Sequence, residues 1–263
     1  MTGARPETQE ALLGYRVYCC GMAALVDEIV QAVGQRGAPA ARWLACLNPH
    51  SYAVARADAR FWSALQAATW LVPDGGGIVL ASHLLRGRIA ARVSGPDVFL
   101  QVSRALDARG PFSAMFLGST EATLVQIRQR YQAQFQNVQG LYTHSPAFRD
   151  AFSEADILQM QALLRRHRPD VLWLGLTAPK QEILLARLSQ TPDFRFAAGI
   201  GAAFDFYVGN VSRSPALFRR LGLEWLPRLL QQPRRLWRRT FVSAPIFLWD
   251  VLRAALARTA PPS

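Results

Sequence analysis

Asp74 stands in the run Val72-Pro73-Asp74-Gly75-Gly76-Gly77, a carboxylate between a proline and three glycines. Glycine lets backbone approach a ligand closely, and a partly desolvated carboxylate there could take a proton from a hydroxyl as general base. The competing reading is a Pro-Asp-Gly turn in which Asp74 caps the following helix. Further along, ARVSGPD at 91–97 offers Arg92 to a phosphate. Asp97 is expected to cap the helix after it rather than to do acid–base work. TAPKQE at 177–182 opens a helix, where backbone N–H groups and Lys180 could meet a phosphate or carboxylate. Lys180 and Gln181 would serve equally as solvated first-turn residues. Leu47-Asn48-Pro49-His50 follows another apolar run.

Several other chemistries lack their residues. There is no GxxxxGK[ST] phosphate loop, and GIGAAF at 199–204 holds two of the three glycines of a dinucleotide fingerprint, too late in the chain. His50, His83, His144 and His167 show no ligand spacing, and no DxD pair is present. No metal and no cofactor are therefore expected. Cys19 and Cys20 are adjacent and Cys46 is remote, which suits neither a disulfide framework nor a CxxC pair and fits a reducing cytosol.

These residues need a frame that brings them together. Apolar runs at Tyr15–Cys20, Arg42–Leu47, Thr69–Val72, Phe112–Leu117, Asp170–Leu174 and Phe194–Ile200 read as strands. Between them lie helical patterns: Val26/Ile29/Val30/Val33, Val54/Ala57/Phe61/Leu65, Leu124/Ile127/Tyr131 and Ile157/Met160/Leu164. Another helix starts near Pro179, where proline suits a first turn. The alternation predicts an α/β fold with a mainly parallel, Rossmann-like sheet and helices on both faces. Ligands of such sheets bind beyond the carboxyl ends of the strands, where the candidate residues fall. The rhythm stops near Asn210. The expected organisation is an N-terminal tail over 1–14, a catalytic domain over 15–209 and a basic helical C-terminal appendage over 210–263.

Charge follows the same division. The chain carries +12, and from Asn210 onward ten arginines face only Glu224 and Asp250. Trp225, Trp237, Phe241 and Trp249 are interleaved with them. Such a segment suits an anionic partner, whether lipid headgroups, a diphosphate or nucleic acid. A solvated basic surface is the plainer alternative. Residues 1–9 show no signal-peptide pattern, and Phe241–Trp249 is too short for a span. Any bilayer contact is expected to be peripheral. Of the thirty basic residues only Lys180 is lysine.

Taken in order, LNP at 47–49, VPDGGGIV at 72–79, RVSGPD at 92–97, APKQE at 178–182, GIGAAFDFYVGNVSRSP at 199–215 and LGLEWLPRLLQQPRRLWRR at 221–239 resemble the WecG/TagA/CpsF glycosyltransferases. The resemblance runs from about Tyr15 to Leu256. It implies that Asp74 is the base activating an acceptor hydroxyl and that Asn48 lies in the donor pocket. Arg92 matches the arginine after the Gly-rich segment, and Gln181 the glutamine beside the lysine. Arg228, Arg235 and Arg238 fall where family members place arginines that close over the active site. Family members often have threonine where this chain has Cys46, and a thiol is the poorer hydrogen-bond donor.

The resemblance further implies an inverting, metal-independent transferase. It would move an N-acetylmannosamine-type sugar or glucose from a UDP-sugar to a polyprenyl-diphosphate-linked acceptor in surface-polysaccharide synthesis. The enzyme would sit in the cytoplasm, peripheral on the inner face of the cell membrane and against its anionic surface. No nucleic-acid partner is expected, and a homo-oligomer stays open. A non-catalytic membrane-surface or nucleic-acid-binding module would use the basic tail but has no need of Asp74 in a glycine cluster. A nicotinamide-dependent oxidoreductase would need a full glycine fingerprint after the first strand, which Tyr15–Gly21 lacks.

Overall fold

The computed structural model describes residues 6–35, 40–211, 237 and 239–259. Its centre is a six-stranded, wholly parallel sheet in the order β4-β3-β8-β7-β5-β6. The strands are β3 (Arg42–Leu47), β4 (Trp70–Pro73), β5 (Phe112–Gly118), β6 (Val138–His144), β7 (Val171–Gly175) and β8 (Phe196–Gly199). Strands β5, β7 and β8 are nearly continuous apolar runs because helices cover both of their faces.

On one face the core gathers Tyr52, Phe61, Ile78, Ile157, Met160, Leu184 and Phe247. These come from α2 (Pro49–Ala55), α3 (Ala59–Ala67), α4 (Gly76–Leu84), α7 (Glu154–His167), α8 (Lys180–Leu188) and the C-terminal α10 (Ala244–Thr259). On the other face, Ile29, Phe99, Ile127 and Phe204 come from α1 (Gly21–Gly34), α5 (Gly95–Arg109), α6 (Glu121–Gln134) and α9 (Ala203–Val208). The chain thus leaves β3 toward the first face and β8 toward the second, although these strands are neighbours. In open parallel sheets such a divergence marks the carboxyl edge as the place where ligands bind.

Four local differences from the sequence expectation have physical causes. The segment expected as a tail supplies β1 (Gln9–Leu12), which pairs antiparallel with β2 (Tyr15–Tyr18) in a separate two-stranded ribbon. The turn between them is Leu13-Gly14, both at positive φ, which matches the twist of a tight hairpin. The run at Tyr15–Cys20 is therefore a ribbon strand, outside the main sheet. Next, the continuous helical pattern at 54–65 is two helices. The Asp58 carboxylate accepts the N–H groups of Arg60 and Phe61 and starts α3 afresh. Strand β6 was not expected at all. It lies at the sheet edge and none of its residues is fully buried, so VQGLYTH lacks the apolar run that marks the inner strands. Last, Pro179 is the N-cap of α8 and not a residue of its first turn.

The appendage returns to the domain at its end. Residues 239–243 form a π-helical turn that leads into α10. Phe247 and Val251 are buried against the core, with the Phe247 ring edge-on to Tyr52 at 5.3 Å. Asp250 accepts the Tyr52 hydroxyl at 2.8 Å and pairs with Arg56 at 2.6 Å. Burial, reinforced by that carboxylate, raises the Tyr52 phenol. The opposite side of the helix exposes Leu248, Trp249, Leu252 and Leu256. Phe247→Ala should accordingly cost about 3 kcal/mol or more, the usual size for emptying a buried aromatic site. Trp249→Ala on the outer side should change stability by less than about 0.5 kcal/mol. Urea denaturation of the two variants checks the contrast.

Candidate active site

Strands β3 and β4 lie in parallel register, with Leu47 opposite Pro73. The residues that follow each therefore emerge side by side at the carboxyl edge: Asn48 after β3 and Asp74 after β4. Asn48 is the N-cap of α2, and its Oδ1 accepts from the backbone N–H groups of His50 at 3.1 Å and Ser51 at 3.0 Å. The Ser51 hydroxyl in turn accepts the Asn48 N–H at 2.8 Å, which completes a reciprocal capping box. With Oδ1 committed to backbone donors, the amide nitrogen is the end that faces Asp74, and Asn48 Nδ2 lies 3.4 Å from Asp74 Oδ2. The Asp74 N–H is tied back to the Leu47 carbonyl at 2.8 Å.

The glycines after Asp74 serve two needs. Gly75 is the N-cap of α4 at φ +92°, a conformation that L side chains rarely adopt. Gly77 packs so closely on Pro49 that a Cβ there would stand 2.6 Å from the proline Cγ. The N-cap of α4 is Gly75, so Asp74 stands one residue before the cap position.

The segment carrying Arg92 is fixed to the same edge, because the Val93 N–H donates to the Pro73 carbonyl at 2.7 Å. Arg92 is half-buried there. The helix cap expected at Asp97 belongs instead to Ser94. Asp97 is the third residue of α5, where its carboxylate accepts the Ser94 hydroxyl at 2.5 Å and its negative charge suits the helix start. Gly95 then lies against Ile200, just past the end of β8.

Gln181 and Lys180 diverge. Gln181 is buried, not solvated, and its Oε1 accepts the Gly201 N–H at 3.2 Å, which ties the start of α8 to the loop after β8. The Lys180 ammonium turns toward the 148–152 segment. It donates to the Arg149 carbonyl at 2.5 Å and stands 5.4 and 5.2 Å from the ring centroids of Phe148 and Phe152. Asn48, Asp74, Arg92 and Gln181 are thus anchored to neighbouring strand ends, whereas Lys180 is held elsewhere. Cys46, one residue inside β3, faces the second core. Arg228, Arg235 and Arg238 lie outside the described residues. Among the described residues no group of three His, Cys, Asp or Glu side chains is placed to hold a metal ion.

Two features escaped the sequence reading. His50 Nδ1 lies 2.9 Å from the Ser243 hydroxyl, so α2 carries Asn48 at its start and also receives the appendage. Nothing in the spacing of two residues so far apart signals that contact. Glu182 is buried beside Gln181, and its Oε1 accepts from Gln181 Nε2 at 2.8 Å. Here a signal existed: Gln181, Leu184, Leu185 and Leu188 share one helical stripe, so the start of α8 points inward.

A doubly wound parallel sheet with a carboxylate, a carboxamide and a guanidinium gathered at its carboxyl edge places them where open α/β folds bind their ligands. A sequence profile of the Glycosyl transferase WecG/TagA/CpsF family matches residues 10–261. The chain belongs to that family and is a glycosyltransferase. It is 28% identical over 214 residues to an N-acetylglucosaminyldiphosphoundecaprenol N-acetyl-beta-D-mannosaminyltransferase of Bacillus spizizenii, covering 81% of this chain and 80% of the relative. Enzymes of the same description from Bacillus subtilis and Staphylococcus aureus are 25% and 24% identical, covering 80% and 79% of this chain and 78% of each relative.

Burial lifts the Glu182 carboxyl from 4.5 to about 7, partly offset by the Gln181 hydrogen bond. A carboxyl so raised holds its proton more tightly in the folded state than in the unfolded one. Its contribution is intact below the unfolded value and is lost as pH rises through the folded value. Glu182→Gln does not titrate, so the Tm of this variant minus that of the wild type should increase from about pH 5 to about pH 8. Thermal melts across that range check the trend, and a constant difference would contradict it.

Proposed function

We propose that this glycosyltransferase moves an N-acetylmannosamine-type sugar from a UDP-sugar to a polyprenyl-diphosphate-linked acceptor, by a single inverting displacement and without a metal ion. The observation that carries the reading is the Asn48–Asp74 pair at matched ends of adjacent parallel strands. The relatives, described as acting on N-acetylglucosaminyldiphosphoundecaprenol, support the acceptor class and favour N-acetylmannosamine over glucose.

In this reading Asp74 takes the proton of the acceptor hydroxyl as its oxygen attacks the anomeric carbon. The bond from that carbon to the phosphate oxygen breaks on the opposite side, and UDP departs with the electron pair. Direct displacement by one nucleophile inverts the anomeric centre. Asn48 orients the Asp74 carboxylate, and Arg92 supplies positive charge to the diphosphate. Gln181 shapes the donor side through the loop after β8. In this reading arginines neutralise the leaving diphosphate, and Arg228, Arg235 and Arg238 of the tail are the further candidates that the family resemblance offers.

The acceptor lipid stays in its bilayer, so the enzyme has to reach that surface. Among the described residues no helix is long and apolar enough to cross a membrane. The outer side of α10, with Trp249, Leu252 and Leu256 exposed, and the basic segment before it suit peripheral docking on anionic lipid.

Turnover of UDP-N-acetylmannosamine with a short-chain polyprenyl-diphosphate-linked N-acetylglucosamine acceptor should persist undiminished in excess chelator. Loss of activity there, restored by magnesium or manganese, would contradict the metal-free mechanism. In flotation assays the protein should bind vesicles containing anionic phospholipid, and about 0.5 M salt should weaken the binding as the Debye length shrinks. Trp249→Glu with Leu252→Glu should abolish flotation. Unchanged flotation of that variant would remove α10 from the docking surface.

A further inference from the structure

Glu182 is 2% exposed and sits at the start of α8. One of its carboxyl oxygens accepts from Gln181 Nε2, and the other, Oε2, has no hydrogen-bond partner among the described residues. No cation pairs with it among the ion pairs of the described residues. A half-satisfied buried carboxyl is costly, and an apolar side chain of similar volume would fill the same space more cheaply. Retention of such a group calls for something that an apolar residue cannot do.

What Glu182 can do is choose the orientation of a neighbouring amide. The two ends of the Gln181 carboxamide differ only in donor and acceptor character. The Gly201 N–H takes the carbonyl end, so the end facing Glu182 is the NH2 group, 2.8 Å from its Oε1. The carbonyl then faces the other way and accepts the Gly201 N–H at 3.2 Å. If the amide turned over, N–H would meet N–H at Gly201, and the ionised Glu182 carboxylate would face an oxygen. The strap is also tight, since a Cβ on Gly199 would stand 3.0 Å from the Gln181 Cδ. Gly201 sits at φ +54°, and Ile200 beside it backs the start of α5, close behind the segment that carries Arg92.

We infer that Glu182 is a positioning residue: its carboxyl locks the Gln181 amide so that the loop after β8, and through it the start of α5, holds the shape that receives the nucleotide-sugar donor. The inference rests on the proposed donor-side role of that loop. It assigns Glu182 no contact with substrate.

The test compares Glu182→Met, Glu182→Gln and Gln181→Met by Tm, by KM for UDP-N-acetylmannosamine and by KM for the acceptor. Glu182→Met removes the acceptor together with the unsatisfied buried oxygen. Its Tm should equal or exceed that of the wild type while the donor KM rises about tenfold, roughly the loss of one well-placed hydrogen bond. Its acceptor KM should stay within about twofold, a change below 0.5 kcal/mol. Glu182→Gln keeps an oxygen for the Gln181 N–H and should recover most of the donor affinity. A wild-type donor KM in Glu182→Met overturns the inference. So does equal impairment of both Glu182 variants in step with a falling Tm, which would make the residue merely structural. If Gln181→Met raises the donor KM but Glu182→Met does not, the donor-side reading stands and the inference alone fails. A wild-type donor KM in Gln181→Met removes both. Should Glu182→Met not fold, Glu182→Asp, one methylene shorter, takes its place on the KM values alone: a raised donor KM with an unchanged acceptor KM is expected, and a wild-type donor KM overturns the inference.

Discussion

The parallel register of β3 against β4 is the constraint on which the site depends. In a parallel pair both strands end at the same edge, and the match of Leu47 with Pro73 brings the next residue of each chain segment to one place. An antiparallel pairing would send Asn48 and Asp74 to opposite ends of the sheet. A one-residue slip would turn the apolar side chains of the strand to the wrong layer. The core enforces register through alternation: Trp43, Ala45 and Leu47 face one cluster, and Leu44 faces the other. Hydrophobic burial, which carries no chemical information of its own, thereby sets the spacing of a polar pair at the surface.

The second dependence runs through α2. This short helix starts at the Asn48 cap and presents His50, Tyr52 and Arg56 to the C-terminal segment. One element thus holds a polar group of the site and also the attachment point of α10. The contact is mixed in character. Phe247 and Val251 supply apolar burial, while Asp250 ties a phenol and a guanidinium to the helix. The buried side of α10 leaves its outer apolar residues unused by the fold, which suits a surface that meets lipid.

Much of the frame was legible because it rests on periodicity. Arg42–Leu47 was readable to the residue, and the inner strands declared themselves as apolar runs. Failures came where local chemistry outweighs pattern. Strand β6 at the edge lacks a buried signature, and the Asp58 cap splits a pattern that looks continuous. The ribbon of β1 and β2 turns on two residues at positive φ, one of them Leu13, whose type gives no hint of that conformation.

The candidate site was legible in a different way. Asp74 could be singled out by its glycines, but a cap and a base look alike in sequence. The structure puts the α4 cap at Gly75 and the Asn48 amide beside the Asp74 carboxylate, neither of which a sequence displays. The partnership of Glu182 with Gln181 has no signature in sequence, because polar residues at a helix start are usually solvated, whereas here the first turn points into the core. Lys180, conspicuous as the one lysine, spends its hydrogen bond on a neighbouring carbonyl.

In the proposed mechanism the parallel edge presents Asp74 as a base and not as a turn residue. Asp74→Asn tests it most directly, because the amide keeps the shape and the contact with Asn48 but cannot take a proton. The measurement is kcat beside the dissociation constant for the UDP-sugar donor. The account predicts a fall in kcat of about 10²- to 10⁴-fold, the range of general-base catalysis, with donor binding changed by no more than about twofold, under 0.5 kcal/mol. Turnover at the wild-type rate in Asp74→Asn would contradict it.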